Sequence, residues 1–65
     1  MDFGEAIRIC LRNDVKVYPV PATGGFKIEV SINEKRTTFE KIIKKKEVDE
    51  AMRKTYVHFA KQINS

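Results

Sequence analysis

The stretch Phe26–Ile32, "FKIEVSI", decides the fold. Phe26, Ile28, Val30 and Ile32 alternate with Lys27, Glu29 and Ser31. Successive side chains of a strand point to opposite faces, so this period of two predicts a half-buried strand with one apolar and one polar side. Such a strand needs partners for its backbone and a layer over its apolar side. The chain supplies the first partner at once. Asn33 and Glu34 suit a two-residue hairpin, which pairs Ile32 with Lys35, Val30 with Thr37, Ile28 with Phe39 and Phe26 with Lys41. The same register sets Ser31 beside Arg36, Glu29 beside Thr38 and Lys27 opposite Glu40, a favourable cross-strand charge pair. The third strand is therefore expected to span Lys35 to Ile42, with Phe39 on the covered side.

On the other flank, Thr23, Gly24 and Gly25 read as a turn, since glycine accepts positive φ without steric cost. Before it, "VKVYPVPA" (Val15–Ala22) is rich in β-branched residues but holds Pro19 and Pro21. Proline cannot donate to a ladder, so this is an edge strand, expected to lose its partner near Pro19. The covering layer comes from the ends of the chain. Asp2 can cap a helix over Phe3–Arg12 whose apolar stripe is Phe3, Ala6, Ile7, Cys10 and Leu11, and Asn13 and Asp14 stop it. From Glu47 onward, Val48, Met52, Tyr56, Phe59 and Ile63 form a longer stripe flanked by Ala51, Thr55 and Ala60. Asp49 with Arg53 and Glu50 with Lys54 are acid-first pairs four apart. The expected fold class is α+β: a single domain over residues 1–65, order α-β-β-β-α, with a three-stranded antiparallel meander and both helices packed on one face.

Size limits what such a domain can do. With 65 residues the chain buries a lower fraction of its surface than a larger domain, and folds of this size often lean on a disulfide, a metal or a second subunit. Cys10 is the only cysteine and His58 the only histidine, which excludes an internal disulfide and the usual zinc sets. No metal or other cofactor and no small-molecule ligand is indicated, and self-association, with a homodimer as its simplest form, remains. The start "MDFGEAIRIC" carries an acid at position 2 and no long apolar run, so a secretory signal, a membrane span and membrane partners are not expected, and a cytoplasmic setting is.

The net charge of +4 is unevenly placed. Residues 1–34 hold four basic and five acidic side chains, and residues 47–65 hold three of each. Residues 35–46 hold Lys35, Arg36, Lys41, Lys44, Lys45 and Lys46 against Glu40 alone, a local +5. Lys44–Lys46 stand just before a helix start, where the backbone already carries partial positive charge. One reading is a phosphate-backbone contact made by those six cations. The other is a solvated connector, because Glu47, Asp49 and Glu50 occupy the turn where a phosphate would sit. The order α-β-β-β-α resembles that of the double-stranded-RNA-binding domain, in which lysines opening the last helix contact phosphates. The chain has "PVPATGG" where that family has a Gly-Pro-x-His loop, and it lacks an Ala-Ala run in the final helix, so the likeness is one of topology. The arm-binding domains of tyrosine recombinases, with three strands and a helix, are similar in the same loose sense.

Parts for catalysis are missing. Cys10 lies on the apolar stripe of the first helix, as a structural thiol does, and His58 lies at the margin of the second stripe as a surface histidine. No enzyme activity is expected. Apolar residues off the core pattern carry more information. Ile9 and Val57 miss their stripes, and Tyr18, Val20 and Ile42 fall on the open sheet face, where they form a candidate interaction patch. The reading of function is a small non-enzymatic interaction domain acting by protein–protein contact or self-association. The alternative is a nucleic-acid-binding module using segment 35–46 on the phosphate backbone.

Overall fold

The strand read from FKIEVSI is the central one of a three-stranded antiparallel sheet in the order β1-β2-β3. The computed structural model describes residues 1–64. Along the chain come α1 (Phe3–Arg12), β1 (Val15–Ala22), β2 (Gly25–Ile32), β3 (Lys35–Thr38), a single 3₁₀ turn (Lys45–Glu47) and α2 (Val48–Ile63). Both helices pack on one face of the meander. Asp2 caps α1, its Oδ1 accepting from the Glu5 N–H at 2.7 Å. Asn13 ends it, and Asp14 turns the chain at φ 58°. Asn33 and Glu34 take φ 51° and 71°, the doubly left-handed geometry that matches the twist of a two-residue hairpin. With the loop length set, the register follows as expected: Ile32 faces Lys35, Ser31 Arg36, Val30 Thr37 and Glu29 Thr38.

Ala6, Cys10, Val15, Val17, Ile28, Val30, Tyr56 and Ala60 form the buried core. Four of them come from alternate positions of β1 and β2, so the inward face is the one the alternation assigned. The helices sit rotated from their expected stripes. With about 100° between residues, the Ala6–Cys10 midline has Ile7 and Ile9 at about 80° on either side and Leu11 at about 120°. Ile9 accordingly packs on the core and Leu11 is 52 % exposed. In α2 the midline runs through Tyr56 and Ala60, which brings Val57 in against the core. Small side chains explain both rotations, because Ala6, Cys10 and Ala60 let the two helices approach closely. The Cys10 thiol donates to the Tyr56 carbonyl at 3.4 Å across that contact. Arg53, expected to pair with Asp49, places its guanidinium over the Phe3 ring, 5.6 Å from the centroid.

Tyr56 ties α2 to the sheet. Its hydroxyl donates to the Val17 carbonyl at 3.0 Å and accepts from the Val17 N–H at 3.2 Å. In an antiparallel ladder a residue's N–H and C=O point to the same side, so these two groups face away from β2, along the outer edge of β1. Pro19 and Pro21 follow at the same parity, opposite Ile28 and Phe26. Their missing N–H groups therefore belong to the outer edge. This is why β1, expected to lose its partner near Pro19, stays paired through Ala22.

β3 departs from expectation in the other direction. Its ladder runs to Thr38, and the Phe39 N–H still donates to the Ile28 carbonyl at 2.9 Å, but Phe26 then pairs with Ile43 instead of Lys41. Glu40, Lys41 and Ile42 stand against the single residue Lys27, a bulge of two extra residues. An even shift keeps the face, so an isoleucine takes the core-side position that the simple register gave to a lysine. The bulge is held down by close contact. The Phe26 N–H donates to the Ile43 carbonyl at 2.9 Å and the Ile43 N–H to the Phe26 carbonyl at 2.7 Å. A Cβ on Gly25 would lie 2.5 Å from the Ile43 carbonyl oxygen.

Tyr56→Phe leaves the outward groups of Val17 without their partner and should lower stability by about 1–3 kcal/mol, read as a reduced urea midpoint at unchanged m-value. An unchanged midpoint would show that the hydroxyl bridge is unimportant. Gly25→Ala should cost about 1–3 kcal/mol by forcing the Ile43 backbone away, checked by the same titration.

Candidate functional site

The two edges of the sheet differ. β1 is closed on its outer side by the Tyr56 hydroxyl at Val17 and by the ring nitrogens of Pro19 and Pro21. On β3, the Phe39 N–H bonded to β2 fixes the alternation: Lys35, Thr37 and Phe39 direct their backbone groups to β2, and Arg36 and Thr38 direct theirs outward. No element of the described residues covers that edge. All four residues of β3 are exposed.

Beside this edge lies an apolar groove. Phe39, expected under the helices, is on their side of the sheet but 40 % exposed. The rotation of α2 toward Val57 carries the helix over β1 and β2 and leaves β3 uncovered. Ile32, the last residue of β2, is also on the helix side and is 38 % exposed at the hairpin end of the sheet. Phe39, Thr55 and Phe59 line a cleft of about 290 Å³, flanked by Lys54 and His58. His58 rests edge-on against Phe59, with centroids 5.3 Å apart.

On the open face a polar row crosses all three strands. The Tyr18 hydroxyl donates to Glu29, and Thr38 Oγ1 donates to the other Glu29 oxygen at 2.9 Å. These two bonds hold the Glu29 carboxyl below its ordinary range, and the bond to Glu29 pushes the Tyr18 phenol above its own. Of the expected patch, Tyr18 is engaged in this row, Val20 is half-buried opposite Lys27, and Ile42 lies against the Gly24–Gly25 turn. Lys27, paired with Glu40 at 3.6 Å, stands between Val20 and the 40–42 bulge. Tyr18 is thus drawn into a polar network, while Val20 and Ile42 flank the Lys27–Glu40 pair.

The six candidate cations are likewise divided. Lys35 lies on the helix side of β3, and Arg36 lies on the open face beside Ser31. Lys41 lines a separate depression of about 250 Å³ with Ile43, Glu47, Glu50, Ala51 and Lys54. Lys44, Lys45 and Lys46 are exposed around the 3₁₀ turn. The ion pairs among the described residues are Lys27–Glu40 and Glu50–Lys54, so the triplet is solvated and not neutralised by contact with the neighbouring acids.

Cys10 is fully buried, and burial pushes its thiol up, away from the thiolate a nucleophile needs. His58 is exposed on the groove. No helix among the described residues is long and apolar enough to cross a membrane. The chain matches no protein-family model, no curated protein and no solved structure. The outward polarity of Arg36 and Thr38 and the cover on Val17 were missed by the sequence reading. The signal for the latter was the spacing Val17, Pro19, Pro21 on one strand parity.

The Tyr18–Glu29–Thr38 row predicts a stability plateau. Glu29 is depressed in the fold, so its contribution is present above the unfolded value near about 4 and is lost as pH falls through the folded one. Tyr18 is raised, so its contribution is present below about 10 and is lost as pH rises through the folded value. Thermal melts should be flat from the acid limit up to about pH 8.5, above which the buried Cys10 thiol, also pushed up, begins to lose its own contribution ahead of Tyr18. Glu29→Gln should soften the acid limb and Tyr18→Phe the alkaline limb; limbs that do not change in either variant would show that the row contributes nothing.

Proposed function

We propose that the chain is a non-enzymatic interaction domain that holds a protein partner along the β3 flank of its sheet. The observation that carries this is the exposed Phe39, which lies on the helix side of the sheet yet is left open beside Thr55 and Phe59. Covering an aromatic side chain fully is worth about 1.5–3 kcal/mol, and buried aromatic anchors ringed by polar groups are typical of energetically dominant contacts. Lys54 and His58 provide such a rim. The single cysteine, free and buried, supports a cytoplasmic setting.

A second reading rests on the solvated triplet Lys44–Lys46, whose unpaired charges are available to a phosphate backbone. It is weakened by Asp49 and Glu50 in the first turn of α2 and by the opposed faces of Lys35 and Arg36.

Panning a random-peptide library on the immobilised chain, then titrating selected peptides and short DNA and RNA strands into isotope-labelled protein, separates the two. Peptides should shift the amides of Phe39, Thr55 and Phe59, and Phe39→Ser should weaken them by about ten-fold or more. Salt-dependent nucleic-acid binding that is lost when Lys44, Lys45 and Lys46 become glutamine, with no peptide reaching the groove, would overturn the first reading in favour of the second.

A further inference from the structure

We infer that the β3 edge accepts an extended acidic peptide as a fourth strand, with alternate side chains of that peptide entering the Phe39–Phe59 groove. This deepens the interaction reading and rests on it.

The two edges of the sheet are unequally protected. Unpaired edges attract other strands, and proteins block the ones they do not use. β1 is blocked at successive outward positions by Tyr56, Pro19 and Pro21. β3 leaves the N–H and C=O groups of Arg36 and Thr38 physically open, and its own protection is short length and the positive charge of Lys35 and Arg36, which repels basic strands and not acidic ones. Its four residues span about 13 Å at about 3.3 Å each, enough for one short strand.

Parity then specifies the guest. A residue paired with Arg36 or Thr38 has its side chain on the open face, and one paired with Thr37 has its side chain on the helix side. Opposite Arg36 a carboxylate is favoured. Opposite Thr37 the guest side chain leans toward Phe39, Thr55 and Phe59, where an apolar group is favoured. The pattern is acid, apolar, polar. The local +5 of residues 35–46 adds long-range attraction for an acidic segment.

The same charge disfavours a second copy of this chain. Pairing two β3 strands would bring Lys35 and Arg36 of both copies, and their +5 segments, into one short ladder, and charged edge residues of this kind suppress self-pairing. The acidic strand is the occupant that the edge both admits and attracts.

The test uses the whole chain and three synthetic peptides: one alternating glutamate and valine, its lysine counterpart, and the glutamate peptide N-methylated at alternate residues. The acidic peptide should bind at about micromolar strength and slow amide exchange at Arg36 and Thr38 about ten-fold or more. The lysine and N-methylated peptides should bind about ten-fold more weakly or worse. Arg36→Pro, which copies the device found in β1, should abolish the gain. Arg36→Glu, which leaves the backbone intact, should shift preference toward the lysine peptide, with folding of both variants checked by melting. Peptide binding that shifts Phe39 and Phe59 without protecting Arg36 and Thr38, or that tolerates N-methylation, overturns strand addition and leaves the groove reading standing. Failure of every peptide to reach the groove overturns both. Concentration-dependent protection of Arg36 and Thr38 in the chain alone would assign the edge to a second copy and overturn the acidic guest.

Discussion

The hydroxyl of Tyr56 is the contact on which the arrangement of layers depends. It reaches from α2 to the N–H and C=O of Val17 at the rim of β1, groups that would otherwise be left unsatisfied under a helix at real cost. One side chain thereby fixes the position of α2 over the sheet. The ring of the same residue lies tilted against Phe3, with centroids 5.9 Å apart, and its carbonyl accepts from the Cys10 thiol. Sheet, first helix and last helix meet at one residue, with small neighbours at Ala6, Cys10 and Ala60 admitting the close approach.

Placing α2 over β1 leaves β3 short of cover. The two helices pack on each other and lie over β1 and β2, and neither rests on β3. The shortfall falls on the strand farthest from Tyr56. Phe39 is apolar on the correct side and yet exposed, and Phe59 lines the cleft beside it instead of filling the centre of the core. In a chain this small, an uncovered aromatic is a considerable loss of core. The open face is already satisfied by the row Tyr18, Glu29 and Thr38.

Legibility in the sequence followed the range of the interaction. The hairpin register from Glu29–Thr38 to Ile32–Lys35 was readable because a two-residue loop and a period of two determine it locally. The cap at Asp2 and the Glu50–Lys54 pair were readable for the same reason. Past Phe39 the reading failed, because the bulge at 40–42 depends on the approach of Ile43 to Gly25 from the neighbouring strand. Of the candidate surface, the sign of residues 35–46 and the face of Phe39 were legible. The exposure of Phe39 was not, since it depends on where α2 comes to rest.

What the sequence by itself determined is the list and order of elements, the apolar face of β2 and the location of the positive charge. Each is carried by spacing within a few residues, where chain geometry leaves little choice. What only the tertiary structure decided is which side of each helix turns inward, which edge is closed and which surface is left open. Those follow from how closely Ala6, Cys10 and Ala60 allow the helices to meet and from one hydroxyl finding Val17, and contacts between residues 39 positions apart leave no local trace in the chain.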